Sequence, residues 1–140
     1  YIGEDGSKHK PVMMHRAILG SFERFIGILI ENYSGKLPLW LAPVQLSILT
    51  VTEEVNDYAL SLKQKFEEIN LRVELDNRNE KIGYKIREHS NAKVPLMAVI
   101  GKDEMSAETI SIRNLSKNAT NTYPIKEAVS LLKKESGPPK

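Results

Sequence analysis

"VPLMAVIG", Val94–Gly101, is apolar at nearly every position over the length of a strand. A strand with one face in water alternates apolar and polar residues, whereas a run apolar throughout belongs to a strand covered on both faces, as in an α/β sheet. Two further strands precede it, "VQLSILTV" (Val44–Val51) and the shorter "LRVEL" (Leu71–Leu75). Between these two, Thr52, Glu53 and Glu54 open a helix whose apolar positions are Val55, Tyr58, Leu62, Phe66 and Ile69. The helical spacing gives one buried stripe, and acidic residues in the first turn complement the positive helix end. "NRNEKIGYKIREH" (Asn77–His89) is read as a short helix, with Asn77 and Glu80 spaced as a capping box. After the central strand comes a charged loop, "KDEMSAE" (Lys102–Glu108), and then "TISIRNL" (Thr109–Leu115), which alternates and is expected to pair antiparallel. Pro124 opens a last helix with Ile125, Val129, Leu131 and Leu132 inward, followed by the tail "SGPPK".

From residue 43 the order is β-α-β-α-β-β-α. Alternation of this kind predicts an α/β fold with a mixed, mostly parallel central sheet flanked by helices. "KLPLWLAP" (Lys36–Pro43), with two prolines and the only tryptophan, marks a boundary that divides the chain into residues 1–37 and 38–140. Upstream, Asp5–Gly6 is a hairpin signal. "PVMMHRAIL" (Pro11–Leu19) reads as a strand in which Val12, Met14, Arg16 and Ile18 alternate with Met13, His15 and Ala17. From Ser21 the period changes to 3.6, with Phe22, Phe25, Ile26, Leu29, Ile30 and Tyr33 on one stripe, expected to be core. Ser21 is the expected N-cap and Gly35 the stop.

The 140 residues suffice for one compact domain and a short extra element. A hydrophobic share of 41% with 27% charged residues is that of a soluble globular protein, and no apolar run approaches the roughly 20 residues of a membrane helix. Absence of cysteine excludes disulfides and thiolate metal sites within the chain and fits a reducing compartment. Because the sequence opens on Tyr1 without a signal pattern, it reads as a piece of a longer protein.

The net charge of +2 does not by itself announce a nucleic-acid binder, but its distribution is uneven. From Asp76 to Lys102, six cations stand against three carboxylates, a net +3. With Ile82 and Ile86 on the buried face, Arg78, Lys81 and Lys85 fall on other faces of the helix. Composition leaves two readings open: a solvated helix face, or a surface for phosphates and bases. On the second reading, Asn79 and Arg87 suit base edges, because amide and guanidinium groups pair bidentately. Glu104 and Arg113 flank the loop at the end of the central strand, where open α/β sheets place ligand sites; a plain polar hairpin is the alternative. His15 lacks the companions a zinc site requires, since only His9 and His89 accompany it. Arg24 lies off the apolar stripe, where it is either a phosphate clamp or simply part of a charged outer face. No Gly-rich phosphate loop follows any predicted strand, which disfavours a small nucleotide-binding domain.

Three blocks in order resemble threonyl-tRNA synthetase: "PVMMHRAILGSFERFIGILIE", "LPLWLAPVQ", and "RVELDNRNEKIGYKIREH" with "KVPLMAVIGKDE". The resemblance implies that residues 1–37 are the end of a class II catalytic domain with its motif 3, and that 38–140 are an anticodon-binding domain. It implies an ATP-dependent threonine–tRNA ligase as the full-length parent, cytoplasmic and homodimeric, that uses Zn2+ and ATP/Mg2+. In that family the matching histidine, His15, ligates zinc, and Ser21 and Arg24 line the nucleotide site. Asn79, Glu104 and Arg113 match residues that read anticodon bases, and Lys81 and Arg87, from the basic segment around Asn79, are added to them as candidate anticodon contacts. The fragment is expected to recognise the tRNA(Thr) anticodon stem-loop and to hold no cofactor or catalytic residue of its own. A non-catalytic RNA-binding or regulatory paralogue is the alternative.

Overall fold

A computed structural model describes residues 1–17 and 19–138. Its elements are α1 (Phe22–Asn32), β1 (Leu46–Thr50), α2 (Asn56–Glu67, entered by a 3-10 turn at Glu53–Val55), β2 (Val73–Asp76), α3 (Ile82–Asn91), β3 (Leu96–Ile100), α4 (Lys102–Ala107), β4 (Thr109–Asn114), β5 (Ala119–Pro124) and α5 (Ile125–Glu135). One sheet runs in the order β2-β1-β3-β4-β5. The pairings of β1 with β2 and with β3 are parallel; those of β4 with β3 and with β5 are antiparallel.

Strand periodicity divides the sheet into two faces. Leu46, Ile48, Leu96, Ala98, Ile100, Ile110 and Ile112 join Val55, Ala59, Leu62 and Phe66 of the α2 region and Ala128 and Leu132 of α5 in a single core. Ser47 and Met97, one position out of phase, meet α3 on the opposite face through His89 and Ser90. β1 and β3 are buried on both faces, as their apolar runs predict. The passage from 38 to 43 is fastened to this domain. Arg72 donates to the Trp40 and Ala42 carbonyls at 2.8 Å, and the buried Gln45 amide donates to the Leu39 carbonyl at 2.9 Å.

Several sequence expectations are corrected. "KDEMSAE" contains α4 rather than a loop, because Glu104 turns back to accept the Gly101 amide at 3.0 Å and satisfies a free donor of the first turn. β5 was not foreseen: "ATNTYP" lacks apolar alternation, and as an edge strand it has little to bury. The Asn77–Glu80 capping box does not form, and α3 starts only after Lys81. The preceding segment turns instead on Asp76, whose carboxylate accepts the Arg78 backbone amide at 3.2 Å.

Upstream, residues 11–17 form no strand. A strand needs a neighbour to take its backbone hydrogen bonds, and neither sheet edge pairs with this segment; Ile18 lies outside the described residues, as do Pro139 and Lys140 of the tail. The Asp5–Gly6 turn is present, bracketed by an Ile2–Lys8 bridge. α1 forms on local signals alone: the Ser21 hydroxyl accepts the Arg24 amide at 3.1 Å, and Gly35, at φ +73°, donates to the Ile30 carbonyl. Its stripe is not core, however. Phe22 is 74% exposed, Ile26 and Ile30 are exposed, and Phe25 and Leu29 are only half-buried.

Candidate nucleic-acid interface

The parallel strands β1, β2 and β3 end at one edge of the sheet, and the loops leaving that edge carry much of the charge. After β2 comes the turn holding Asn79 and Lys81, both exposed. After β3 comes Gly101 and the first turn of α4, with Glu104 half-buried. Glu104 uses one carboxylate oxygen on the Gly101 amide and the other on the Ser111 hydroxyl, each at 3.0 Å. A carboxylate has about four lone-pair sites, so an oriented acceptor remains available.

β4 returns from this edge with Ser111 opposite Val99 and Arg113 opposite Met97. Ser111 and Arg113 therefore share the α3 face of the sheet, and Thr122 and Thr120 of β5 pair with them there. The Ser111 and Thr122 hydroxyls are 3.0 Å apart, and Arg113 donates to Asn118 at 3.2 Å. Here the sheet is polar and the two threonines are exposed. α3 lies alongside, its Ser90 hydroxyl reaching Met97 of β3 at 3.8 Å. Ser90 marks the flank toward β3, whereas Arg87, two positions from both Lys85 and His89 and so about 200° around the helix from each, is exposed on its outer side. Glu88, facing Arg78, marks the opposite flank.

Two cations counted in the basic surface are occupied elsewhere. Lys85, expected on an outer face, is 1% exposed. Its Nζ donates to the Thr50 carbonyl at 2.9 Å and the Asp76 carbonyl at 3.1 Å, and burial lowers its pKa. The Arg78 guanidinium donates through Nε and Nη2 to Asp76 at 2.9 and 2.7 Å, and also to Glu88 at 2.6 Å. Those partners raise its pKa. Sequence reasoning missed the centre of this assembly. The Asp76 carboxylate is held well below the usual range, foremost by Arg78 and then by His89, against the opposing effect of burial. His89 lies 3.1 Å from Asp76 through Nε2 and 3.1 Å from the Ser47 hydroxyl through Nδ1. The spacing of Lys85 and His89, four apart on one helix face, was the available signal.

Beside this assembly, a cleft of about 700 Å³ opens between Ile30, Gly35 and Leu37 on one side and the β2 edge with the C-terminal half of α3 on the other.

The upstream residues are not brought to this edge. Ser21 is engaged as the cap of α1, Arg24 is exposed one turn on, and the exposed His15 has its Nε2 3.0 Å from the Met13 sulfur. A zinc ion takes three or four protein ligands. Among the described residues no group of three or more His, Cys, Asp or Glu side chains is gathered, so these residues do not by themselves fit the metal.

The arrangement is an α/β domain with an exposed, mixed-charge edge made of a turn, a helix flank and a hairpin face. The profile of the anticodon binding domain family matches residues 45–135, and the chain belongs to that family. Over 132 residues, 94% of its length, the chain is 60% identical to a protein of Ehrlichia chaffeensis named threonine--tRNA ligase. A protein of the same name from Parvibaculum lavamentivorans is 56% identical over 139 residues, 99% of the chain. In each case the chain spans only 21% of the relative's length. Among solved structures, the RNA binding domain of threonyl-tRNA synthetase from Cryptosporidium parvum Iowa II superposes with a TM-score of 0.80 at 30% identity, covering 89% of this chain and 31% of that one. Among the described residues no helix is long and apolar enough to cross a membrane.

Proposed function

We propose that this chain is the tRNA-recognising portion of a threonine–tRNA ligase and that it binds the anticodon loop of tRNA(Thr). One observation carries the reading: a member of the anticodon-binding family, 60% identical to a threonine--tRNA ligase, exposes amide, guanidinium and ammonium groups near a half-buried, oriented carboxylate at one end of its sheet.

Unstacked loop bases present their pairing edges to side chains, whereas a closed A-form helix hides its major groove. The Asn79 amide offers a donor and an acceptor side by side, the pattern that pairs bidentately with a base. Glu104, already oriented by Gly101 and Ser111, accepts from an exocyclic amine. Arg113 and Arg87 supply planar donors, and Lys81 supplies a point charge for phosphate. Phosphate contacts give affinity and register, and the base contacts give the choice of sequence.

Residues 38–140 are the anticodon-binding domain on this reading, and 1–37 the end of a catalytic domain. Ser21 and Arg24 then belong to the nucleotide site of a cytoplasmic, homodimeric parent enzyme using ATP and Mg2+. His15 belongs to a zinc site there only together with ligands from outside these residues. The 140 residues alone are expected to give no threonine-dependent pyrophosphate exchange.

The test is titration of the chain with a tRNA(Thr) anticodon stem-loop RNA, and with the same hairpin carrying one exchanged anticodon base, at two salt concentrations. We expect the matched hairpin to bind roughly 5- to 150-fold tighter, as for a bidentate base contact, with both affinities falling as salt rises. Equal affinity for the two hairpins would overturn the reading.

A further inference from the structure

We infer that Asp76, Lys85 and His89 form a buried positioning assembly which, through Arg78, holds the 77–81 turn in the geometry that presents Asn79 and Lys81 to RNA. The inference rests on the reading of that turn as an anticodon contact and adds to it the residues that set the contact's geometry.

Asp76 has a side chain only 4% exposed, and a buried carboxylate is costly unless it is paired and hydrogen-bonded. Here it accepts two bonds from the Arg78 guanidinium, one from the Arg78 backbone amide and one from His89, with the Lys85 ammonium at 3.9 Å. Each partner is fixed in turn. The His89 ring is held at both nitrogens: Nε2 donates to the carboxylate, and in the neutral ring Nδ1 accepts the Ser47 hydroxyl. Lys85 grips the carbonyls of Thr50 and Asp76, the last residues of β1 and β2, and so fixes the main chain where it leaves the sheet. Arg78 then bridges Asp76 to Glu88 and staples the turn to the flank of α3, and its carbonyl accepts the Glu80 amide at 2.9 Å.

Asn79 sits between those two fixed residues. Unlike that of Arg78, its side chain makes no hydrogen bond among the described residues, and neither does that of Lys81 or Arg87. A rigid base that carries unengaged polar groups is the arrangement that lowers the ordering cost of binding. With its guanidinium engaged by two carboxylates, Arg78 is a positioning residue and not a phosphate ligand.

Arg78 variants test this, since the residue lies at the surface and its side chain is half exposed. The quantity read is the affinity ratio between the tRNA(Thr) anticodon stem-loop and the hairpin with an exchanged base, together with the salt slope and the melting temperature. Arg78→Gln and Arg78→Lys are both expected to lower the ratio by roughly tenfold while leaving the salt slope unchanged, because lysine keeps the charge but not the bidentate geometry. In the double variant Arg78→Gln/Asn79→Ala, discrimination should be no lower than in Asn79→Ala alone. If Arg78→Lys binds as wild type and Arg78→Gln loses about one unit of salt slope, Arg78 touches phosphate and the inference is wrong. If Asn79→Ala removes discrimination but both Arg78 variants keep it, the positioning role fails while the anticodon reading stands. Unchanged discrimination in Asn79→Ala itself would sink the reading and the inference with it.

Discussion

Replacing Asp76 with alanine removes the acceptor shared by Arg78 and His89 and the countercharge of a lysine that is 1% exposed. Breaking a buried pair by deleting one partner costs about 3–5 kcal/mol, because the other charge is left uncompensated. Lys85 keeps its two backbone carbonyl acceptors, which places the expected cost near the lower end, about 3 kcal/mol. With a urea m-value of about 1.5 kcal/mol/M for a domain of this size, the midpoint should fall by about 2 M. Asp76→Asn keeps acceptor capacity without the charge and should cost less, about 1–2 kcal/mol.

The pH dependence gives an independent arm. The folded-state pKa of Asp76 is depressed, so its contribution is fully present above the ordinary value of 3.8 and is lost as pH falls below that toward the folded value. The stability gap between wild type and Asp76→Asn should therefore narrow between about pH 5 and about pH 2.5. Lys85 slopes the same way, but at alkaline pH: burial depresses its pKa, so its unfavourable contribution is relieved as pH rises toward its ordinary value of 10.5. Urea unfolding followed by circular dichroism across the acid range measures the first effect, and the same assay at alkaline pH measures the second. A cost below about 1 kcal/mol for Asp76→Ala at pH 7, or a gap that does not change with acid, would refute the account of the network.

Other consequences concern the frame. Phe66 is fully buried between α2 and the sheet, so Phe66→Ala should lower stability by about 3–5 kcal/mol in the same assay. Gly83 lies in α3 with open space where a Cβ would stand, and Gly83→Ala should raise stability by roughly 0.5–1 kcal/mol, read as a higher melting temperature. Ser21→Ala removes the cap of a helix with no buried residue. It should therefore reduce helical signal at low temperature by fraying α1, without moving the main unfolding transition.

What could be read from the sequence follows burial. β1, β3 and α2 declare themselves, because their residues are chosen by the core and repeat with its period. β5, rich in Thr and Asn, carries no such signal, and the six residues of α4 are held by one capping carboxylate. The segment from 11 to 17 shows the reverse case, a strand-like alternation with no neighbouring strand to satisfy it. α1 keeps its apolar stripe for the same reason, exposed rather than packed. Of the candidate site, Asn79, Lys81 and Arg87 were legible as exposed polar groups in a basic segment, although the first two stand in the turn before α3 and not on the helix. The burial of Lys85 and His89 was not. A lysine and a histidine ordinarily argue for solvent, and only the strand-end carbonyls and Asp76, distant in sequence from Ser47 and Thr50, reverse that expectation.

The central claim is that the exposed edge chooses an anticodon. It is tested most directly by the ratio of Kd values for the tRNA(Thr) anticodon stem-loop and for the hairpin with one exchanged base, measured with the wild-type chain and with Asn79→Ala. The account predicts a clear preference in the wild type that Asn79→Ala reduces by about 1–3 kcal/mol for the base it reads. A wild-type chain that binds both hairpins equally, or a preference untouched by Asn79→Ala, would contradict it.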